Sequence, residues 1–315
     1  MSFRIKPETS FPSKASVISK DTNDASVEER PISSEEDSAE TTTNSLRISK
    51  VPDEDSLPND FLAESTRFIL QNHPKASLIY AGTKGYLGLR EWIINNSQSI
   101  KNQNYSSDNV SLVSGSAHGL DNIARTFLDS GDIVLVSSPT YPGALRTFRA
   151  CGVEIIDISS NGNLDINKMS QVISKLKKEK KRVKLFYIVS SNNNPTGSSL
   201  EDSIKLELVN LCTKNEILIV DDRAYGEIYF GSVPQLSLSA IAASEHIIEI
   251  GTFSKTIATG MRVAWIIASQ RIINKLDIMR FDNGGSNLMQ HVVHHYVSSK
   301  NYPLHLQQIR KTYKV

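Results

Sequence analysis

The sequence predicts an α/β fold: a mostly parallel, seven-stranded sheet covered by helices on both faces, in three layers. Three observations carry that expectation. Short apolar runs recur seven times between residues 111 and 268, stretches with helical spacing lie between many of them, and polar clusters follow several of the runs. The chain has 315 residues, enough for one large domain and an appendage.

Residues 1–56 are rich in Ser, Thr, Glu and Asp and have no helical period. Such a stretch cannot bury enough apolar surface to offset its ordering entropy, so a disordered tail is expected there. The texture changes at Leu57. Phe61, Leu62, Phe68 and Ile69 recur at helical spacing, and Leu89, Trp92 and Ile93 begin a second amphipathic segment. The expected strands are Ser111 to Val113, Ile133 to Ser137, Val153 to Ile156, Leu185 to Val189, Ile217 to Val220, Ile247 to Gly251 and Val263 to Ala268. Helical patterns separate them at Leu120 to Leu128, Ile166 to Leu176 and Leu200 to Cys212. The basic run from Lys175 to Arg182 closes one of these helices ahead of a strand, where a solvated helix end is the expected role.

A formal net charge of +1 gives no electrostatic reason to expect nucleic acid or an anionic membrane as partner. The apolar runs are too short to span a bilayer, and the opening residues lack an apolar signal core. Cys151 and Cys212 show no metal-ligand spacing and are expected to be reduced thiols, which together with the missing signal points to the cytoplasm.

In open parallel sheets ligands bind beyond the carboxyl ends of the strands. There the sequence places SSNNNPTG after the fourth run, DDRAYGE after the fifth and TFSKTIATGMR after the sixth. An amide, an acid, a phenol, a lysine and an arginine therefore converge on one sheet edge. GTKGYLG could suggest a dinucleotide fingerprint, but no strand precedes Gly82. GSAHG has its serine one place away from a nucleophile elbow.

Six segments in order resemble the class I/II aminotransferase group of fold-type I enzymes that use pyridoxal 5′-phosphate (PLP). They are YAGTKGYLGLR (Tyr80 to Arg90), SGSAHGLD (Ser114 to Asp121), SPTYPGA (Ser138 to Ala144), NPTG (Asn194 to Gly197), DRAYGE (Asp222 to Glu227) and GTFSKTIATGMR (Gly251 to Arg262). The resemblance implies a PLP-binding large domain over residues 57–300, with 301–315 starting a small C-terminal domain. It implies that Lys255 holds PLP as a Schiff base and later moves a proton. A free lysine, with a pKa of about 10.4, is a poor base at neutral pH, and covalent linkage removes its charge.

By the same resemblance, Asp222 faces the pyridine nitrogen, while Tyr225 and Asn194 donate to the phenolic oxygen and Tyr141 stacks on the ring. Gly115, Ser116 and Ala117 open a helix whose free N–H groups suit a phosphate, with Thr252, Ser254 and Arg262 completing the cradle. Tyr80 reaches the phosphate of a partner subunit, which implies a homodimer. The reaction implied exchanges an amino group between an amino acid and a 2-oxo acid. A PLP-dependent lyase acting on C–S bonds, or a non-catalytic PLP-binding regulatory domain, are the alternatives.

Some positions depart from the family pattern. Ser190 stands where a proline is usual, Asn192 and Asn193 make their loop more polar, and Ala117 and His118 occupy places where amides are frequent. His118 is expected at the pocket edge. The pattern ends within a helix that starts near Tyr302, short of the family's small domain and its carboxylate-binding arginine. Cofactor binding with weak transamination is the expectation for these 315 residues.

Overall fold

In the computed structural model, residues 54–97, 104–231 and 234–314 are described. All of them fall in one compact unit, Asn44–Val315. The expected disordered tail lies outside the described residues except for Glu54–Ser56, which form a 3-10 turn.

Nine strands follow in chain order: β1 (Val110–Val113), β2 (Ile133–Val136), β3 (Glu154–Asp157), β4 (Ser159–Ser160), β5 (Asn163–Leu164), β6 (Val183–Ile188), β7 (Leu218–Asp222), β8 (Ile247–Thr252) and β9 (Ala264–Ala268). β4 and β5 make a small antiparallel hairpin. The other seven form one sheet in the order β1-β9-β8-β7-β6-β2-β3. Its pairs β7–β8, β6–β7, β2–β6 and β2–β3 are parallel, and β9 runs antiparallel to both β8 and β1. The seven expected strands are these seven, with ends shifted by one or two residues.

β1 and β2 are buried along their whole length, as strands covered on both faces must be. One core packs Leu120, Ile123, Phe148, Ile272 and Leu276 against Val134, Tyr187, Val220 and Ile248. A second packs Met169, Ile173, Leu208, Val209 and Cys212 against Leu135, Phe186 and Ile219. Alternate residues of the same strands thus feed opposite layers, as the period of two requires. Local chemistry sets the helix ends. Asp165 Oδ1 accepts from Lys168 N at 2.8 Å to start Ile166–Lys178, and lysines fill that helix's last turn, where the dipole favours cations.

A third core lies at the β1–β9 end of the sheet, where Leu89, Ile93, Phe253, Val293, Tyr296 and Tyr302 meet. It seats helix Asn301–Thr312, and Arg310 Nε of that helix donates to Glu227 O at 3.0 Å. Because β9 is antiparallel to β8, the chain turns back beyond Thr252 without crossing the sheet. That turn carries Lys255. The carboxyl ends of β1, β2, β6, β7 and β8 share one edge, and the candidate residues lie along it.

Candidate active site

β7 ends in two adjacent carboxylates that alternate across the sheet. Asp221 Oδ2 accepts the N–H of Leu238 at 3.3 Å, at the start of helix Leu238–Ile241, and so has a structural role. Asp222 accepts from Tyr187 Oη at 2.8 Å and from Ala224 N at 3.1 Å. Both Asp222 and Tyr187 are buried. Burial pushes the Asp222 carboxyl up to about 6, while the Tyr187 hydroxyl, the Ala224 amide and the charge of Lys255 pull the other way. Burial drives the Tyr187 hydroxyl well above the usual range, reinforced by Asp222, so it stays protonated and donates to that carboxylate.

Lys255, half-buried, places Nζ 5.6 Å from the centroid of the Tyr225 ring. Burial holds its ammonium below the ordinary lysine range, and Asp222 opposes that shift. Burial, followed by the charge of Asp222, pushes Tyr225 up to about 12, and a hydrogen bond with the Asn194 side chain works against the rise. Tyr141 adds to the same shift. It precedes helix Pro142–Ala150, and its ring lies over Gly143, where a Cβ would come within 2.3 Å of it. A side chain at position 143 would push the Tyr141 ring aside.

Of the residues expected to cradle an anion, Gly115 and Arg262 lie against each other. Gly115 has φ 94° and precedes helix Ser116–Phe127 without a side-chain cap. A Cβ there would stand 1.9 Å from Arg262 Nη2, so only glycine lets the guanidinium lie against the loop. Arg262 itself is left-handed at φ 51°, donating from Nη2 to Ser114 O and from Nη1 to Thr259 O, each at 3.3 Å. Thr252 Oγ1 donates to Ser254 Oγ at 2.9 Å and accepts from Ser254 N at 3.1 Å. Helix-start amides, two hydroxyls and a guanidinium together match what a phosphate dianion requires. His118 Nδ1 accepts from Ser114 N at 3.1 Å, and burial keeps its imidazole below the usual range. It holds the loop before helix Ser116–Phe127 as a neutral acceptor.

Tyr80 is 77% exposed, next to Leu78 and Ile79, which are 63% and 65% exposed. Asn287 Nδ2 donates to Ala76 O and Ile79 O at 2.7 Å each, anchoring the segment that presents them.

Three further residues support the site with little or no signal in the sequence. Tyr187 reads as an ordinary core strand residue, and its hydroxyl meets Asp222 only through the pairing of β6 with β7. Asn192, noted only as unusual polarity, donates from Nδ2 to Ile228 O at 2.6 Å and so ties the NPTG loop to the Tyr225 loop. Arg223 lies between the same two loops. Its position directly after Asp222 was the one available signal.

Known proteins share this arrangement of sheet and edge. Residues 52–314 match the family described as aminotransferase class I and II. The chain belongs to that family. An aromatic-amino-acid aminotransferase of Thermococcus litoralis is 30% identical over 84% of this chain and 64% of its own length. A kynurenine aminotransferase of Pyrococcus horikoshii, whose structure was solved with PMP, KYN and KYA, is 29% identical with a TM-score of 0.76. That similarity covers 84% of this chain and 66% of the Pyrococcus chain. The HTH-type transcriptional regulator NorG of Staphylococcus aureus is 32% identical over 75% of this chain and 52% of its own length. The chain therefore spans about two thirds of the aminotransferases of class I and II that it resembles, and about half of the regulator. Among the described residues no helix is long and apolar enough to cross a membrane.

Proposed function

We propose that this chain is a PLP-dependent transaminase that moves an amino group between an amino acid and a 2-oxo acid in the cytoplasm. The observation that carries the reading is the meeting of Lys255, Asp222, Tyr225 and Asn194 on one sheet edge beside the Gly115–Arg262 cradle. These residues fit PLP: a buried carboxylate for the ring nitrogen, an amine for the aldehyde, two donors for the phenolic oxygen and a cradle for the phosphate. When bound, PLP supplies an electron sink for the pair released as a proton leaves the substrate's Cα.

The protein's own part follows from the geometry. Asp222, ionised at neutral pH against a value of about 6, would hold a proton on the cofactor's ring nitrogen. Lys255, its ammonium destabilised by burial, is neutral more readily than a solvated lysine, and as the free amine it would take up the proton leaving the substrate's Cα and return it. Tyr225, held neutral by burial, donates a hydrogen bond and does not compete as a base. Tyr141 would cover the ring of bound PLP, and Thr252, Ser254, Ser116, Ala117 and Arg262 would hold its phosphate.

We further read residues 57–300 as the cofactor-binding domain and 301–315 as the beginning of the small domain. Exposed Tyr80, with Leu78 and Ile79, supports a homodimer in which Tyr80 enters the partner's site.

The test adds PLP to purified protein and follows the visible band of the bound cofactor as single amino acids and 2-oxo acids are supplied. Formation of new amino and oxo acids is the expected result. A protein that stays colourless with PLP sinks the reading. A band that shifts with amino acid while no product forms supports a sensor, the reading to which the similarity with NorG points.

A further inference from the structure

Two loops carry the donors assigned above to the cofactor's phenolic oxygen: the one after β6, with Asn194, and the one after β7, with Tyr225. One buried side chain spans them. Arg223 Nη1 donates to Ser191 Oγ at 3.3 Å in the first loop, and Nη2 donates to Gln235 O at 3.2 Å beyond the second. Its Nε lies 3.8 Å from Glu249 Oε1 on β8, an ion pair with side-chain exposures of 7% and 4%. The guanidinium also lies under the second loop, because a Cβ on Gly226 would come within 3.1 Å of both Nε and Nη2. The main chain of Arg223 is pinned to the sheet as well, its N–H donating to Ile250 O at 2.8 Å.

A buried ion pair is weak evidence for stability, since desolvating two charges offsets most of their attraction, and apolar replacements are often neutral. What it does well is fix geometry. A planar fork with five donors can hold three fixed acceptors in one arrangement, which a flexible ammonium cannot. Here those acceptors belong to the strand next to Asp222 and to chain on either side of the Tyr225 loop.

We propose that Arg223, through Ser191 and Glu249, is a positioning residue that sets the distance between Asn194 and Tyr225 and so the hydrogen bonding to the cofactor's phenolic oxygen. The proposal rests on the reading of the site as a PLP site. Arg223 touches no reacting atom; it acts by keeping two donors aimed at one acceptor. Asn192, whose Nδ2 donates to Ile228 O at 2.6 Å, provides a second tie between the same loops.

The experiment compares the wild type with S191A and with the double variant R223M/E249M, which removes both charges together and leaves neither buried alone. Donors to the phenolic oxygen favour its ionised form and lower the pH at which the visible band of the bound cofactor titrates. Misplacing them raises that midpoint, by about one pH unit in R223M/E249M and less in S191A. Without cofactor, amide hydrogen exchange across 190–199 and 223–230 rises in both segments together, by about tenfold in the double variant.

A lower melting temperature with the midpoint unmoved overturns the proposal and leaves Arg223 a structural residue. Should R223M/E249M not fold, S191A decides alone, and an unchanged midpoint and exchange there have the same meaning. If the wild type shows no visible band with PLP, the site reading itself fails and the proposal with it. A wild-type band whose midpoint is indifferent to these variants removes the proposal only.

Discussion

Replacing Tyr187 with phenylalanine removes one hydroxyl and the 2.8 Å hydrogen bond it donates to Asp222 Oδ2. Phenylalanine keeps the ring packed against Phe148, so the change is close to the loss of a single donor. A hydrogen bond to a charged group contributes about 1.5–3 kcal/mol, and one pKa unit corresponds to about 1.4 kcal/mol. The Asp222 carboxyl, at about 6 in the wild type, therefore moves to roughly 7–8 in Y187F.

The consequence for stability has a definite sign. The folded value lies above the unfolded one, so this group's contribution is fully present below about pH 4 and is lost as pH rises through the folded value. In the wild type the loss is complete soon after pH 6. In Y187F it continues to about pH 8, adding roughly 1.5–3 kcal/mol of destabilisation there and little at pH 3, where the carboxyl is protonated in both states. Urea unfolding of cofactor-free protein across pH 3–8 measures this directly. Curves for the two proteins that stay parallel from pH 4 to pH 8 would refute the coupling of Tyr187 to Asp222.

Three other outcomes are expected. K255A retains no cofactor after borohydride reduction and denaturation, read by mass spectrometry, and loses at least about 100-fold in turnover; fixation to another residue in K255A would overturn the assignment. G115A puts a side chain at φ 94°, strained by about 1–2 kcal/mol, and forces Arg262 away from the cradle, so PLP binding by equilibrium dialysis weakens by about tenfold or more; wild-type affinity would argue against the cradle. Mixing Y80A with K255A, each inactive alone, restores turnover if Tyr80 serves the partner's site, because a mixed dimer then holds one site with both residues intact; no recovery despite subunit exchange would count against a shared site.

Much of this protein was legible in one dimension. Strand runs such as Ile133 to Ser137 and Ile217 to Val220 need no long-range information, since buried parallel strands are continuous apolar segments ended by turn formers. The chemistry-bearing residues were legible for a related reason: Asp222 ends its strand and Asn194 and Lys255 lie in the loops that follow theirs, so all three inherit their place from the strand's direction.

What the sequence could not express is lateral order. That β9 returns antiparallel between β1 and β8, bringing Arg262 against Gly115, depends on which strands pair. The same holds for Tyr187 beneath Asp222, and for Arg223 reaching Ser191 and Glu249 from neighbouring strands. Side-chain alternation along a strand states which face a residue takes but not what waits there. By itself the sequence determined the strands, the helices and the ordered set of reactive groups. Only tertiary structure decided which buried partners tune them, because burial and hydrogen-bond geometry arise between segments far apart in the chain.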